Sequence, residues 1–409
     1  MKGKNTMHLY LQANVGTAVV DTLKAWGFWS AIIATMFVIF LGWFLTKRGT
    51  FKKDWETVLI KIVMVVGLPC LAFDGFMADT TVEQVKTQAA ILLVGFLFYI
   101  ILGIVAKYFY IKYEQDVRDT LAMCTVFAST TFFGIPVVTA LFEAGQATLP
   151  ANIFNIPYRV FLYSLGFIVM SKPTQGQLAT IAETKTETIV DAKIDPTGYA
   201  QVKTEIRAKK MATVKANLKQ IFVNPILIAT IIGFIFWVTQ LIPGIEIVPD
   251  QNKIGSGRLF SPLRLDNTFP PLFKITKTLE GLCTPLAWLA IGMTLAKGKL
   301  REAMQDKKVW YGMIMKVILA PIIGLVLAII FAVIGKETGV WKLNSVGLTV
   351  IVIMLAAPPA SVIVAYSIGY KKQPMLASNL TLVSTLFSII SLPFWVIITT
   401  AIGATSLFT

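Results

Sequence analysis

Three cations stand inside apolar sequence with no acid beside them: Lys61, Arg159 and Lys316. A charge at membrane depth is costly and by default marks function. The acids nearest such depth, Asp74, Glu143 and Glu280, fall at the ends of apolar stretches. Cations without matching acids suit an anionic ligand. Arginine suits it best, because its planar fork meets a carboxylate through two parallel hydrogen bonds and stays charged. Arg159 lies in Asn155-Ile-Pro-Tyr158-Arg159, and two readings apply. Either it faces the interior and receives a carboxylate, or it reaches the outer interface, since its apolar stretch begins near residue 153. Lys316, shortly before Pro321, reads first as a side chain reaching toward a basic inner face and second as another anion ligand. Lys61, nearer the end of its stretch, reads more strongly as an interfacial side chain.

Neutral groups can serve the same chemistry. Two apolar segments carry prolines where a membrane helix should run straight: Phe127-Ala-Ser-Thr130-Thr131-Phe-Phe-Gly134-Ile135-Pro136 and Met354-Leu-Ala-Ala-Pro358-Pro359-Ala-Ser361. Proline removes a backbone donor and clashes with the carbonyl one turn back. Freed backbone groups survive in hydrocarbon only where protein or a wet cavity satisfies them. A half-helix starting near Pro136 or Pro359 would aim unsatisfied N–H groups and its positive dipole end at a cavity, favouring a carboxylate. Thr130, Thr131 and Ser361 could add hydroxyl donors. Asn155 and Tyr158 are secondary candidates, because aromatic residues near span ends often belong to the interfacial belt. The plainer reading is that Gly134 and the prolines only let two helices cross. Both readings can hold together.

These residues need a membrane scaffold, and composition supplies it. Hydrophobic residues make up 56% of the 409, charged ones only 14%, and mean hydropathy is +0.71. Ten stretches approach the roughly 20 residues that span hydrocarbon: about 27–45, 57–73, 88–106, 120–142, 153–170, 221–242, 278–296, 309–334, 345–368 and 375–402. The net charge of +15 is mainly a topology signal. With the N-terminus outside, inner segments hold 23 Lys and Arg and outer segments 11, as the positive-inside rule requires. A nucleic-acid partner is therefore not expected, and both termini are expected outside a plasma membrane. The first residues do not read as a signal peptide, because Gln12, Asn14 and Asp21 interrupt any apolar core.

The polar stretch 171–219 divides the chain. Residues 27–170 and 220–402 each hold five apolar stretches, residues 1–26 form an outer N-terminal segment, and 243–276 is the largest outer loop. The division reads as an inner tether, with an interfacial helix at 200–219. An odd number of spans per half turns the halves over relative to one another, the geometry of an inverted repeat. Leu68-Pro69 in the second stretch echoes Thr284-Pro285 in the seventh, and the interrupted stretches are the fourth and ninth. Paired interrupted segments in corresponding positions point to the binding site of a secondary transporter. The fold class expected is an all-α polytopic membrane protein of ten transmembrane helices, an inverted 5+5 repeat with spans four and nine broken and crossed.

Enzyme chemistry finds little support. His8 is the only histidine, the three cysteines show no CxxC spacing, and there is no Gly-x-x-x-x-Gly-Lys-Ser/Thr motif. That argues against a histidine-based triad, a His-rich metal site and an ATP-driven pump. No cofactor is expected.

At this point the sequence resembles a family. The turn Gly42-Trp-Phe-Leu-Thr-Lys-Arg-Gly49, Leu68-Pro69, Phe133-Gly134-Ile135-Pro136, Ala290-Ile-Gly292-Met293 and the proline-bearing ninth stretch look like signatures of the auxin efflux carrier family, in particular its bacterial malate-permease-like members. The likeness covers about 27–402. It implies crossed, broken helices similar to those of sodium/bile-acid symporters. It also implies a scaffold of spans 1, 2, 6 and 7 and a transport unit of spans 3–5 and 8–10. Plant auxin members often carry Asn before the first crossover proline, where this chain has Ile135. A dicarboxylate such as malate is therefore expected ahead of an aromatic, auxin-like monocarboxylate. The expected activity is secondary active transport by elevator-like alternating access. A membrane sensor on the same fold is the alternative, with 171–219 as its output. Partners expected are the organic anion, a coupled proton or sodium ion, membrane lipid and a second copy in a homodimer. Among the residues, no buried acid pair suggests itself as the carrier of the coupling ion.

Overall fold

The computed structural model describes residues 20, 24, 26–52, 54–142, 146–172, 225–253, 256–298 and 300–408. Most of 1–26, the expected outer segment, and nearly all of 171–219, the expected tether with its helix at 200–219, lie outside these residues.

Twelve principal helices follow in order: α1 Trp26–Lys47, α2 Trp55–Asp74, α3 Val82–Phe109, α4 Gln115–Val126, α5 Ile135–Leu141, α6 Thr148–Met170, α7 Pro225–Thr239, α8 Pro270–Lys297, α9 Lys307–Thr338, α10 Ser345–Ala356, α11 Ser361–Gly369 and α12 Pro374–Gly403. Each of the ten apolar stretches thus carries helix. Six of these helices, α2, α3, α6, α8, α9 and α12, are long and apolar enough to cross a membrane. The apolar part of α1, Ile33–Lys47, and helices α7 and α10 are shorter. Local signals set several ends. Thr81 and Gln84 form a capping box at the start of α3, Asn344 caps α10 by accepting from the Gly347 N–H at 2.8 Å, and Gly339 ends α9 at φ +67°.

Proline shapes the helices from within. Four π-turns occur among the described residues, at Val63–Gly67, Thr130–Gly134, Leu162–Gly166 and Met315–Leu319. Three of them end two residues before a proline: Pro69, Pro136 and Pro321. There the N–H of Leu68, Ile135 or Ala320 reaches back five residues, to Val63, Thr130 or Met315. The proline ring displaces the carbonyl of the preceding turn, and the ladder widens instead of breaking.

The two true interruptions lie at 127–129, between α4 and the π-turn before α5, and at 357–360, between α10 and α11. The extended segments cross antiparallel, with Ala128 opposite Pro359. The Ser129 N–H donates to the Pro358 carbonyl at 2.7 Å, and the Ala360 N–H donates to the Phe127 carbonyl at 2.9 Å. Each break satisfies backbone groups that the other has freed. The second break falls where its prolines predict. The first lies upstream of Gly134, Ile135 and Pro136, the expected place. Pro136 sits instead in the first turn of α5, where a missing N–H is tolerated.

The helices pack as two groups. In one, α1 crosses α8 so closely that a Cβ on Gly42 or Gly292 would collide with the facing backbone, the small-residue contact usual between membrane helices. Helix α2 packs on α7 and α8. Glu56 of α2 accepts from Thr294 and Lys297 of α8, each at 2.5 Å. A cap joins this group outside the helices. Arg264 binds Asp79 at 2.6 Å, Asp266 at 2.7 Å and Gln240 at 3.1 Å, beside a two-stranded ribbon of β1 Val248–Pro249 and β2 Leu259–Phe260. Burial opposes the Arg264 charge, but its hydrogen bonds to Asp266 and Asp79 outweigh burial and raise its pKa.

The second group gathers α3, α4, α6, α9, α10 and α12. Tyr311 of α9 donates to the Phe109 carbonyl at 3.0 Å, Trp395 of α12 to the Val317 carbonyl at 3.0 Å, and Lys372 pairs with Asp119 of α4 at 2.8 Å. The seam between the groups is apolar where Met36 and Ile39 of α1 face Phe133, Val137 and Leu392 around a small cavity.

Candidate functional site

One face of α6 concentrates the polar chemistry. Asn152, Asn155 and Arg159 recur at i, i+3 and i+7, so they share a helix face. All three are buried, Arg159 at 3% exposure. Each is only partly satisfied. Asn152 donates to the Leu71 and Ala72 carbonyls at 3.3 and 3.2 Å, and its Oδ1 has no partner. Asn155 Oδ1 accepts from the Thr130 hydroxyl at 2.6 Å, and its Nδ2 has no partner. Arg159 Nη1 donates to Thr230 Oγ1 of α7 at 2.6 Å, and its Nη2 has no partner. An unmade hydrogen bond at a buried charged group is expensive. Such groups call for a completing partner, whether a water, an ion or a ligand.

Arg159 opens on a small space. Ser129 and Thr131 at the first break, Tyr158, Leu162 and Tyr163 of α6, Ser361 and Val362 at the start of α11, Met64 of α2 and Ile226 of α7 complete its wall. Three of the four π-turns contribute to this wall, through Met64, Thr131 and Leu162 with Tyr163. Widened turns of this kind recur at functional sites because they shift side chains and free carbonyls. Helix α11 begins here. Its first-turn N–H groups and positive dipole end stand beside a guanidinium and several hydroxyls. The arrangement can hold a carboxylate. Its wall draws on both helix groups, with Met64, Ile226 and the Thr230 contact on one side and the broken helices on the other.

The structure brings Arg159, Thr131, Tyr158 and Ser361 together around that space and sorts the other expected residues elsewhere. Thr130 and Asn155 bond to each other. Gly134 lets the start of α5 approach α10, since a Cβ there would sit 3.0 Å from Met354 Sδ. Ile135 and Pro136 are buried at the same contact. Pro358 and Pro359 build the backbone crossing. Of the two readings of Arg159, its burial excludes the interfacial one. Lys316 overturns its first reading as well. It does not reach toward an interface; it is 0% exposed, with Nζ donating to the Thr125 carbonyl at 3.2 Å. Nor does it line the Arg159 space. Lys61 is exposed and does not line the Arg159 space.

Two features went beyond the residues expected. Ser129 lines the space but looks like any small residue in an apolar run. Asn152 was legible through its spacing from Asn155 and Arg159. No acid pair suggests itself in the sequence, and the structure brings together a buried Asp74 and a half-buried Glu280 that also pairs with Lys277 at 2.6 Å. Asp74 and Glu280, at distant points of the sequence, lie within hydrogen-bonding reach of each other, with Thr276 donating to Asp74 at 2.6 Å. Neither lines the Arg159 space. Among the described residues no group of three or more metal-ligating side chains is assembled.

Crossed half-helices in a polytopic, apolar bundle, with a buried cation beside the crossing, define a class of membrane carriers. Residues 28–396 match the profile of the membrane transport protein family, the auxin efflux carriers, and the chain belongs to that family. No curated protein matches the chain. It is accordingly a multi-pass membrane protein of a transporter family.

Proposed function

We propose that this protein is a secondary active transporter of a small organic anion, with a dicarboxylate such as malate as the best-fitting substrate. The observation that carries the reading is Arg159, which lines a space shared with the start of α11 and keeps Nη2 as a buried, unpartnered donor. One carboxylate would be met by Arg159 and the α11 N-terminus. The hydroxyls of Ser129, Thr131 and Ser361 would complete its hydrogen bonds. The ten helical stretches are read as ten spans of an inverted 5+5 repeat in the plasma membrane, with both termini outside and 171–219 inside. The two helix groups are read as scaffold and moving unit. The apolar seam between them supports an elevator-like motion, since few polar contacts there need to break. Arg159 and Thr230 meet across that seam, so a substrate bound at Arg159 would sit where the two units part.

Purified protein in lipid vesicles tests the substrate. Exchange of labelled malate should be competed by other dicarboxylates more strongly than by an aromatic monocarboxylate. Preference for the aromatic acid would replace the substrate; failure to exchange either would end the anion reading. The topology has its own test. A single cysteine placed within 180–200 should react with an impermeant reagent only after the membrane is opened. Labelling in intact cells would overturn the orientation and the inverted repeat with it.

A further inference from the structure

Lys316 lies in the π-turn Met315–Leu319 of α9, fully buried, and among the described residues it forms no ion pair. Its ammonium donates to the carbonyl of Thr125, in the last turn of the half-helix α4. The carbonyls of a final helical turn lack intrahelical donors and carry the negative end of the dipole. In carriers with broken helices, such C-terminal ends and unwound carbonyls are where a coupling cation binds. The groups facing Lys316 leave that role open. From α4 comes Cys124, and beyond Thr125 stands Tyr110, whose hydroxyl lies 2.6 Å from Thr125 Oγ1. The packed helices α10 and α12 contain no ionisable side chain. Of α4's acids, Asp119 is committed to Lys372 at 2.8 Å, and Asp116 lies 4.0 Å from the same lysine.

We infer that Lys316 is the coupling site of this carrier: its tethered ammonium occupies the cation position at the C-terminal end of α4, and it binds and releases the coupled proton. The inference rests on the anion-carrier reading. Lysine fits the task where arginine would not, because lysine can release its proton within an accessible pH range. It also points to the ion. An ammonium held on the Thr125 carbonyl leaves no vacancy for sodium at this position, so coupling here uses a proton and is expected to ignore sodium.

The test uses the full chain in phosphatidylethanolamine–phosphatidylglycerol vesicles, with the membrane potential clamped at zero and labelled malate as the probe. All pH values stay in the range where malate is a dianion. The wild-type protein should accumulate malate about tenfold for each unit of acid-outside gradient if one proton is coupled. Replacing sodium by choline should change nothing. Lys316→Gln keeps a donor for the Thr125 carbonyl and should still exchange malate, but its accumulation ratio should fall to about one. Lys316→Arg keeps the charge without a releasable proton and should behave the same way, so it serves if the glutamine variant does not fold. Sodium-dependent uptake by the wild type, or gradient-driven accumulation by either variant, would overturn the inference while leaving the anion reading intact. Failure of the wild type to exchange any dicarboxylate would overturn both.

Discussion

Arg159 and Lys316 are both buried cations in apolar helices, and neither forms an ion pair among the described residues. Their partners separate them. Lys316 is held by a backbone carbonyl inside one helix group, while Arg159 keeps a donor free and touches the other group through Thr230. Lys316, tethered to a built-in partner, can keep its place through a transport cycle whether or not it holds its proton. Arg159, with Nη2 unpartnered, is the cation proposed to receive the substrate. The difference lies in what surrounds each side chain, since the two residues look alike in the sequence.

The largest expected effect falls on Arg159. Arg159→Ala should weaken apparent affinity for a dicarboxylate by roughly tenfold to a hundredfold, the loss of a charge-assisted hydrogen bond worth about 1.5–3 kcal/mol. Arg159→Lys keeps the charge but loses the fork, so it should fall between alanine and wild type. Both proteins should express and fold, because no buried acid is left unpaired by the change. Unchanged affinity in Arg159→Ala, measured by concentration-dependent exchange, would break the comparison: Arg159 would then be as passive as an interfacial arginine.

Much of this is readable in the sequence alone. Apolar length placed helix at all ten stretches, and the paired prolines marked the two segments that cross. Proline's mark is displaced, however. Pro136 and Pro321 widen the turn before them, whereas the first break at 127–129 contains no proline and exists because the second break supplies its hydrogen-bond partners. A tertiary partner of this kind has no local signature. The space proposed as the site was legible at Arg159, Thr131, Tyr158 and Ser361, which line it together, because charge and hydroxyl type stand out in apolar sequence. Gly134 and Thr130 stand out equally, yet one serves a helix contact and the other bonds to Asn155. Asp74 and Glu280 could not be paired from sequence, since only the packing of α2 on α8 brings them together.

A smaller effect asks whether Asn155 belongs with Arg159 or with the framework. Its Nδ2 is unpartnered and on the Arg159 face of α6, but its Oδ1 is tied to Thr130. If a bound carboxylate uses that amide, Asn155→Ala should cost about 0.5–1.5 kcal/mol, a few-fold in apparent affinity, with Arg159 intact. A drop in thermal stability without any change in affinity would put Asn155 on the side of Lys316, a residue whose bonds are all internal.

An effect of similar size concerns Thr230, and its sign carries the information. Thr230 Oγ1 accepts from Arg159 Nη1 at 2.6 Å and donates to the Ile226 carbonyl at 2.6 Å. It thus holds the guanidinium across the seam when no substrate is present. An incoming carboxylate must compete for that donor. Thr230→Val keeps the shape and removes the acceptor, leaving Nη1 as well as Nη2 unsatisfied in the empty carrier. That should lower the stability of the empty protein by about 1 kcal/mol and tighten substrate binding by a comparable amount. The shift in melting temperature on adding malate should therefore be larger than in the wild type. A smaller shift would mean that Thr230 orients Arg159 for the ligand and does not compete with it, and the free donor would then be a prearranged one.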